Sequence, residues 1–170
     1  MARRLQQAGH TVHAWNRTQS KADPLAALGI AVHATVAEAV RQADIVVSLL
    51  ENGPAVEHVL FHAGAAQAMR PGTLFIDMAS IQPREARDHA ARLGEMGLAH
   101  LDAPVSGGTV GAENGTLAIM AGGRAEDFAR AQPVFAALGR ATHVGPHGSG
   151  QLAKLANQMI VGITIGAVAE

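Results

Sequence analysis

The chain of 170 residues contains no cysteine. Disulfides, thiolate metal centres and cysteine nucleophiles are thereby excluded, and the composition suits a reducing compartment, so a cytoplasmic protein is expected. An excess of charge of either sign is also missing: 13 basic residues stand against 14 acidic ones, and charged side chains make up only 16 % of the chain. Such a balance leaves no electrostatic footprint for nucleic acid or for an anionic membrane, and neither is expected as a partner. Arg3 and Arg4 have no apolar core behind them, so the amino end does not read as a secretory signal. The last apolar run, Met159 to Val168, is too short to span a bilayer and reads as part of a buried helix. What is present is 48 % hydrophobic residues and 19 glycines, the composition of a soluble α/β protein with one core.

Strand and helix patterns alternate along the chain. Residues 1 to 9 read as the tail of a helix stopped by Gly9, and Thr11 to Trp15 as a short strand followed by the polar turn Asn16-Arg17-Thr18. A helix from Lys21 to Leu28 ends at Gly29, Ile30 to His33 forms an edge-like strand, and Thr35 caps a helix over Val36 to Gln42. The run Ile45-Val46-Val47-Ser48-Leu49-Leu50 is apolar on both faces apart from Ser48, as in a central parallel strand covered by helices. Pro54 opens the next helix, Thr73 to Asp77 is a second buried strand, and Pro83 begins a helix to Met96 that Gly97 ends. Strands at His100–Ala103, Thr116–Ala121 and Ala141–Val144, a tight turn at Gly122-Gly123, and helices at Glu126–Leu138 and Gln151–Glu170 complete the pattern. This order predicts an α/β, Rossmann-like, doubly wound and mostly parallel sheet.

Three stretches carry candidate chemistry. In LDAPVSGGTVGAENGTLAIMAGG, Leu101 to Gly123, Pro104 forces an extended exit from a strand. Ser106-Gly107-Gly108 follows, where bare backbone N–H groups and a hydroxyl suit a carboxylate, although a plain turn has the same composition. In GSGQLAKLANQ, Lys154, Asn157 and Gln158 share one helix face among apolar neighbours; a polar stripe on a buried helix requires a partner or a cavity. At the end of the first strand, Asn16 and Arg17 occupy the place where a dinucleotide fold puts the residue meeting the adenosine ribose. An arginine there accommodates a 2′-phosphate and so favours NADP, with NAD the alternative and a solvated turn the plainer reading. His58 and His62 have the i, i+4 spacing of a metal pair without a third ligand, and no metal is expected.

The two long strings resemble, over essentially the whole chain, the β-hydroxyacid dehydrogenase family of 3-hydroxyisobutyrate dehydrogenases and semialdehyde reductases. The resemblance implies Lys154 as the catalytic residue, Ser106, Gly107, Gly108 and Asn157 as the substrate site, and a small carboxylate as substrate. It also implies cofactor contacts from Asn16, Arg17 and Thr18, from Leu50 and Asn52 in a turn where Glu51 replaces the family's proline, and from Ser80, beside Ala79 in place of a hydroxyl residue. Imine reductases share the fold but usually lack the lysine; 6-phosphogluconate dehydrogenases keep it and need a basic phosphate set that is not evident here.

No GxGxxG occurs in the sequence. By comparison with the family, Met1 falls just after the glycine fingerprint and Glu170 within the helix that leads to an all-helical domain. Truncation at both ends is therefore expected, with residues 1–148 as an NADP-binding domain and 149–170 as the start of the interdomain helix. A homo-oligomer is expected of the full-length form. The alternative is a non-catalytic remnant or interaction domain of such an enzyme.

Overall fold

The computed structural model describes residues 1–169. The elements run α1 (Ala2–Gln7), β1 (His13–Ala14), α2 (Gln19–Ala22), β2 (Ala31–Val32), α3 (Val36–Val40), β3 (Ile45–Ser48), α4 (Gly53–Glu57), α5 (Ala65–Ala68) and β4 (Leu74–Asp77). They continue through α6 (Pro83–Glu95), β5 (Ala99–Asp102), β6 (Val105–Ser106), α7 (Gly108–Asn114), β7 (Leu117–Gly123), α8 (Ala125–Leu138), β8 (Gly139–Gly145) and α9 (Ser149–Ala169). Strands β1 and β2 pair in parallel as a small separate sheet. The main sheet is six-stranded, with β3, β4 and β5 parallel, β7 antiparallel to β5 and β6, and β8 parallel to β7.

Strand β4 is buried throughout, and its alternation divides the core. Leu74 and Ile76 join Leu101, Leu117, Ile119, Phe135 and Leu138 on the face covered by α8. Phe75 points the other way, to Val56, Leu60, Leu93 and Leu98 from α4, the turn after it, α6 and the entry to β5. Thr35 closes α3 with a reciprocal capping box: its hydroxyl accepts from the Glu38 amide at 3.3 Å while the Glu38 carboxylate accepts from the Thr35 amide at 3.1 Å.

Strands β5 and β6 are one line. The antiparallel pairs Leu101 with Gly123, Asp102 with Gly122, Val105 with Ile119 and Ser106 with Ala118 lie in a single register, and Met120 donates to the Pro104 carbonyl at 3.0 Å across the gap. Pro104 has no N–H to return, which interrupts the ladder without shifting it.

Several expectations are corrected. Strand β3 lies at the edge of the main sheet and is only half-buried, because β4 is its sole partner in that sheet among the described residues. The expected Lys21–Leu28 helix is split into α2 and a 3₁₀ stretch, Asp23–Leu28, with Pro24 in the first turn of the latter. The stretch after Gly107, expected as a loop, is the helix α7, and Gly122-Gly123 is the end of β7 rather than a turn. Most consequentially, α9 is not a buried helix. Only Gly150 and Gln151 are buried, while Leu152, Leu155, Met159, Ile160 and Ile163 are exposed. By length and composition alone α9 is apolar enough to cross a membrane, a property that core helices share.

Candidate active site

The carboxyl ends of β3, β4 and β5 are level, so Ser48, Asp77 and Asp102 form a row across three neighbouring strands. Asp77 is fully buried, and one carboxylate oxygen accepts from the Ala79 amide at 3.0 Å and from the Ser48 hydroxyl at 3.4 Å. The other oxygen has no partner. Burial pushes this carboxyl up to about 7; its two hydrogen bonds oppose the rise, and the neighbouring Asp102 and Glu85 add to it. Asp102, also fully buried, accepts from the Gly148 amide at 2.7 Å and from the Gln151 amide at 3.0 Å, one bond to each oxygen. Burial raises its pKa as well, while those two bonds restrain it.

Asp102 thus anchors the start of α9, and the backbone is bare where the helix lands. A Cβ at Gly122 would lie 2.7 Å from the Gly150 nitrogen and 2.7 Å from an Asp102 carboxylate oxygen, so only glycine admits the helix there. Gln151, the first side chain inside the contact, is 3 % exposed and uses both ends of its amide. Its oxygen accepts from the Ile81 amide at 3.1 Å, and its nitrogen donates to the Ala79 carbonyl at 2.8 Å.

Lys154 and Asn157 continue the Gln151 face at helical spacing and are the half-buried positions of the next two turns, with Ala153. The polar stripe of α9 therefore faces the domain and its apolar residues face outward. Lys154 Nζ donates to Gln158 Oε1 at 2.9 Å, and Asn157 Nδ2 donates to the same oxygen at 3.4 Å. Burial alone lowers the lysine pKa.

Ser106 is half-buried at the end of β6, and Gly107 and Gly108 are exposed with φ of +128° and +62°, conformations that side chains disfavour. Lys154 hydrogen-bonds Gln158 rather than Ser106. The unbroken register nevertheless puts Ser106 on the same sheet face as Asp102, two alternations further along, and that is the face on which α9 begins.

The residues assigned to the cofactor all follow carboxyl ends of strands, where doubly wound sheets bind ligands. Asn16 accepts from the Thr18 amide at 2.9 Å, which closes the turn after β1 and leaves Arg17 and Thr18 exposed. Asn52 caps α4 by accepting from the Ala55 amide at 2.9 Å, so its oxygen is committed to the helix, and Leu50 packs against the Val56–Phe75 cluster. Ser80 is exposed between the buried Ala79 and the half-buried Ile81. The free donors in this set, a guanidinium and two hydroxyls, fit an anionic dinucleotide. Elsewhere, His58 and His62 stack with ring centroids 5.8 Å apart on a π-helical turn, and no three metal-ligating side chains converge among the described residues. Sequence reasoning overlooked Asp77, Asp102 and Gln151. The available signal was a polar residue at the end of each of two apolar strands and a glutamine directly after Gly-Ser-Gly.

Residues 1–146 match the family described as the NAD binding domain of 6-phosphogluconate dehydrogenase. The NAD-dependent L-serine dehydrogenase of Pseudomonas aeruginosa is 42 % identical over 175 residues, a match that covers 100 % of this chain and 58 % of that protein. The 2-hydroxy-3-oxopropionate reductase of Escherichia coli is likewise 42 % identical, over 100 % of this chain and 59 % of its own length. The solved structure of 3-hydroxyisobutyrate dehydrogenase from Mycobacterium tuberculosis with L-serine superposes with a TM-score of 0.94 at 38 % identity, covering 99 % of this chain and 57 % of that one. The chain spans less than two thirds of the length of these relatives. With residues 1–146 matched by the family model and relatives aligned over the whole chain, the chain belongs to the family of 6-phosphogluconate dehydrogenase NAD binding domains, and its relatives are dehydrogenases and reductases of the 3-hydroxyacid type.

Proposed function

We propose that the protein carrying this chain is an oxidoreductase of the 3-hydroxyisobutyrate dehydrogenase type, interconverting a small 3-hydroxy acid and its semialdehyde carboxylate with NADP(H), NAD(H) being the alternative. The observation that carries this reading is the inward polar face of α9: a half-buried Lys154, its pKa lowered by burial, on a helix anchored to the strand line that leads to Ser106.

The bound nicotinamide supplies or takes up the hydride. Lys154 does the complementary proton work. As an ammonium it donates a proton to the substrate oxygen that becomes an alkoxide, and as the neutral amine it takes the hydroxyl proton in the oxidative direction. Burial shifts the residue toward the neutral form and so eases both exchanges. Asn157 orients the substrate oxygen from the same helix face, while Ser106 and the Gly107 and Gly108 backbone hold the carboxylate, which confines reaction to carbons near a carboxyl group. When the cofactor is bound, Arg17 and Thr18 would hold the adenosine ribose or its 2′-phosphate, Leu50 and Asn52 would line the dinucleotide, and Ser80 would hold the nicotinamide end. Residues 1–148 serve as the nucleotide domain and 149–170 as the start of an interdomain helix. Its outward apolar residues support a homo-oligomeric enzyme in which that surface is covered, and the cysteine-free composition suits a cytoplasmic one.

The test is Lys154→Ala in the full-length enzyme. Turnover is expected to fall by about 10²- to 10⁴-fold, with NADPH affinity by fluorescence titration kept within about twofold. A loss smaller than about fivefold removes the lysine from the reaction.

A further inference from the structure

Three hydrogen bonds bracket Ser80, and two of them come from one side chain. The Ala79 amide donates to Asp77, the Ala79 carbonyl accepts from Gln151 Nε2 at 2.8 Å, and the Ile81 amide donates to Gln151 Oε1 at 3.1 Å. The backbone amide of Gln151 itself donates to Asp102 at 3.0 Å. Asp102 and Asp77 are register partners on β5 and β4, so the contacts close into a ring: Asp77, the Ala79–Ile81 turn, Gln151, Asp102 and back to Asp77 through the sheet. Lys154 lies three residues beyond Gln151 on the same helix face.

We infer that Gln151, seated by Asp102, is a positioning residue that locks the helix carrying Lys154 to the turn carrying Ser80, so that the proton-transferring group and the nicotinamide-facing turn keep one fixed spacing. This rests on the role proposed above for Lys154. The physical argument is one of reach. Among the described residues, Lys154 is a long side chain held only by a hydrogen bond to Gln158 on its own helix, so its placement is set by where the helix backbone stands. Ser80 is exposed and held only through its two neighbours. A primary amide suits the junction because it offers one acceptor and one donor to a backbone N–H and a backbone C=O at once. A hydrophobic side chain of the same volume would leave both of those backbone groups without partners.

The test compares Gln151→Met, which keeps the volume and removes both hydrogen bonds, with Gln151→Glu, which keeps the acceptor for Ile81. Amide exchange in the 170-residue chain and steady-state kinetics in the full-length enzyme are the two readouts. In Gln151→Met the Ile81 amide is expected to exchange about tenfold faster or more, while the amides of β4 keep their protection and so report an intact sheet. Gln151→Glu is expected to restore most of the Ile81 protection. In the kinetics, Gln151→Met lowers kcat about tenfold with KM for NADPH within about twofold, and Gln151→Glu recovers part of kcat. Unchanged Ile81 exchange in Gln151→Met overturns the lock, and faster exchange with wild-type kcat overturns its positioning role. Lys154→Ala separates the two proposals: persistent turnover there sinks the lysine reading, whereas Ile81 exchange tests the lock whatever the turnover.

Discussion

Replacing Asp77 with asparagine should stabilise the fold more at pH 8 than at pH 5. In the unfolded chain this carboxyl ionises near 3.8, but in the fold it holds its proton up to about 7. Folding therefore carries no penalty from Asp77 below the unfolded value. The penalty grows as pH rises between the two values and is complete above the higher one. The full separation corresponds to about 4 kcal/mol, of which about 2 to 3 kcal/mol accrues between pH 5 and pH 8. His100 works in the opposite sense. Burial pulls its imidazole down to about 3 from 6.5, so stability falls as pH drops through the unfolded histidine range, by about 2 kcal/mol at pH 5. The two contributions are of similar size and opposite sign between pH 5 and pH 8, so the Asp77 part is isolated by comparing the variant with wild type. Asparagine keeps an oxygen for the Ala79 amide and the Ser48 hydroxyl and carries no charge, so the variant should lose the Asp77 contribution and keep those of His100 and the other shifted groups. Thermal unfolding of both proteins at pH 5 and pH 8 checks this: the melting temperature of Asp77→Asn relative to wild type should gain about 5 to 10 °C between the two pH values. Taking that double difference removes any pH-independent cost of the new NH₂ group. An identical gap at both pH values would refute the assignment of a buried, proton-holding carboxyl.

Other substitutions address the site and its supports. Gly150→Ala would drive a methyl group into the Asp102 and Met120 carbonyl oxygens and should cost about 1 to 3 kcal/mol in urea unfolding. Gly162→Ala, in open space on the same helix, should be neutral or stabilising, and equal effects at the two glycines would contradict the tight landing of α9. Arg17→Ala should weaken NADPH binding by about tenfold and leave NADH binding nearly unchanged; parallel losses for both, by fluorescence titration, would take Arg17 off the 2′-phosphate. Thr35→Ala removes the capping box of α3 and should lower stability by about 1 kcal/mol, with faster exchange of the Glu38 amide.

Helix stops and caps were the most readable features of the sequence because they depend on local chemistry. Gly9, Gly29 and Gly97 all adopt positive φ where a helix ends, and Thr35 caps α3 as expected. The strands at Ile45, Leu74 and Leu101 were legible for a similar reason, since apolar runs mark strands locally, and Leu74 and Leu101 are fully buried. What failed depended on partners. Gly122 and Gly123 look like a turn, yet they are bare because α9 and β5 pass close by: a Cβ at Gly123 would come within 2.6 Å of the Leu101 side chain. The Ile45–Ser48 run looks central, yet a strand's own residues do not say how many neighbours it has. The apolarity of α9 reads as burial, yet its apolar residues are exposed and the polar stripe turns out to be the face turned toward the domain. For the candidate site, Lys154, Asn157 and Ser106 were singled out by local chemistry together with a resemblance. Gln151 and Asp102, whose contacts cross from residue 151 to residues 79 and 81 and from 102 to 148, become visible only with the chain folded.

The shared ladder of β5 and β6 along β7 has a mechanical consequence. Asp102 and Ser106 are read out by one continuous alternation, with Pro104 between them. A single residue inserted or deleted anywhere in Ala103-Pro104-Val105 would rotate one of them to the reverse side while leaving the other in place. The helix foundation and the proposed carboxylate cradle would then open onto opposite sides of the sheet. Length here is as strict a requirement as residue identity, and a bulge accepted elsewhere in the molecule would separate the two halves of the centre at this one point.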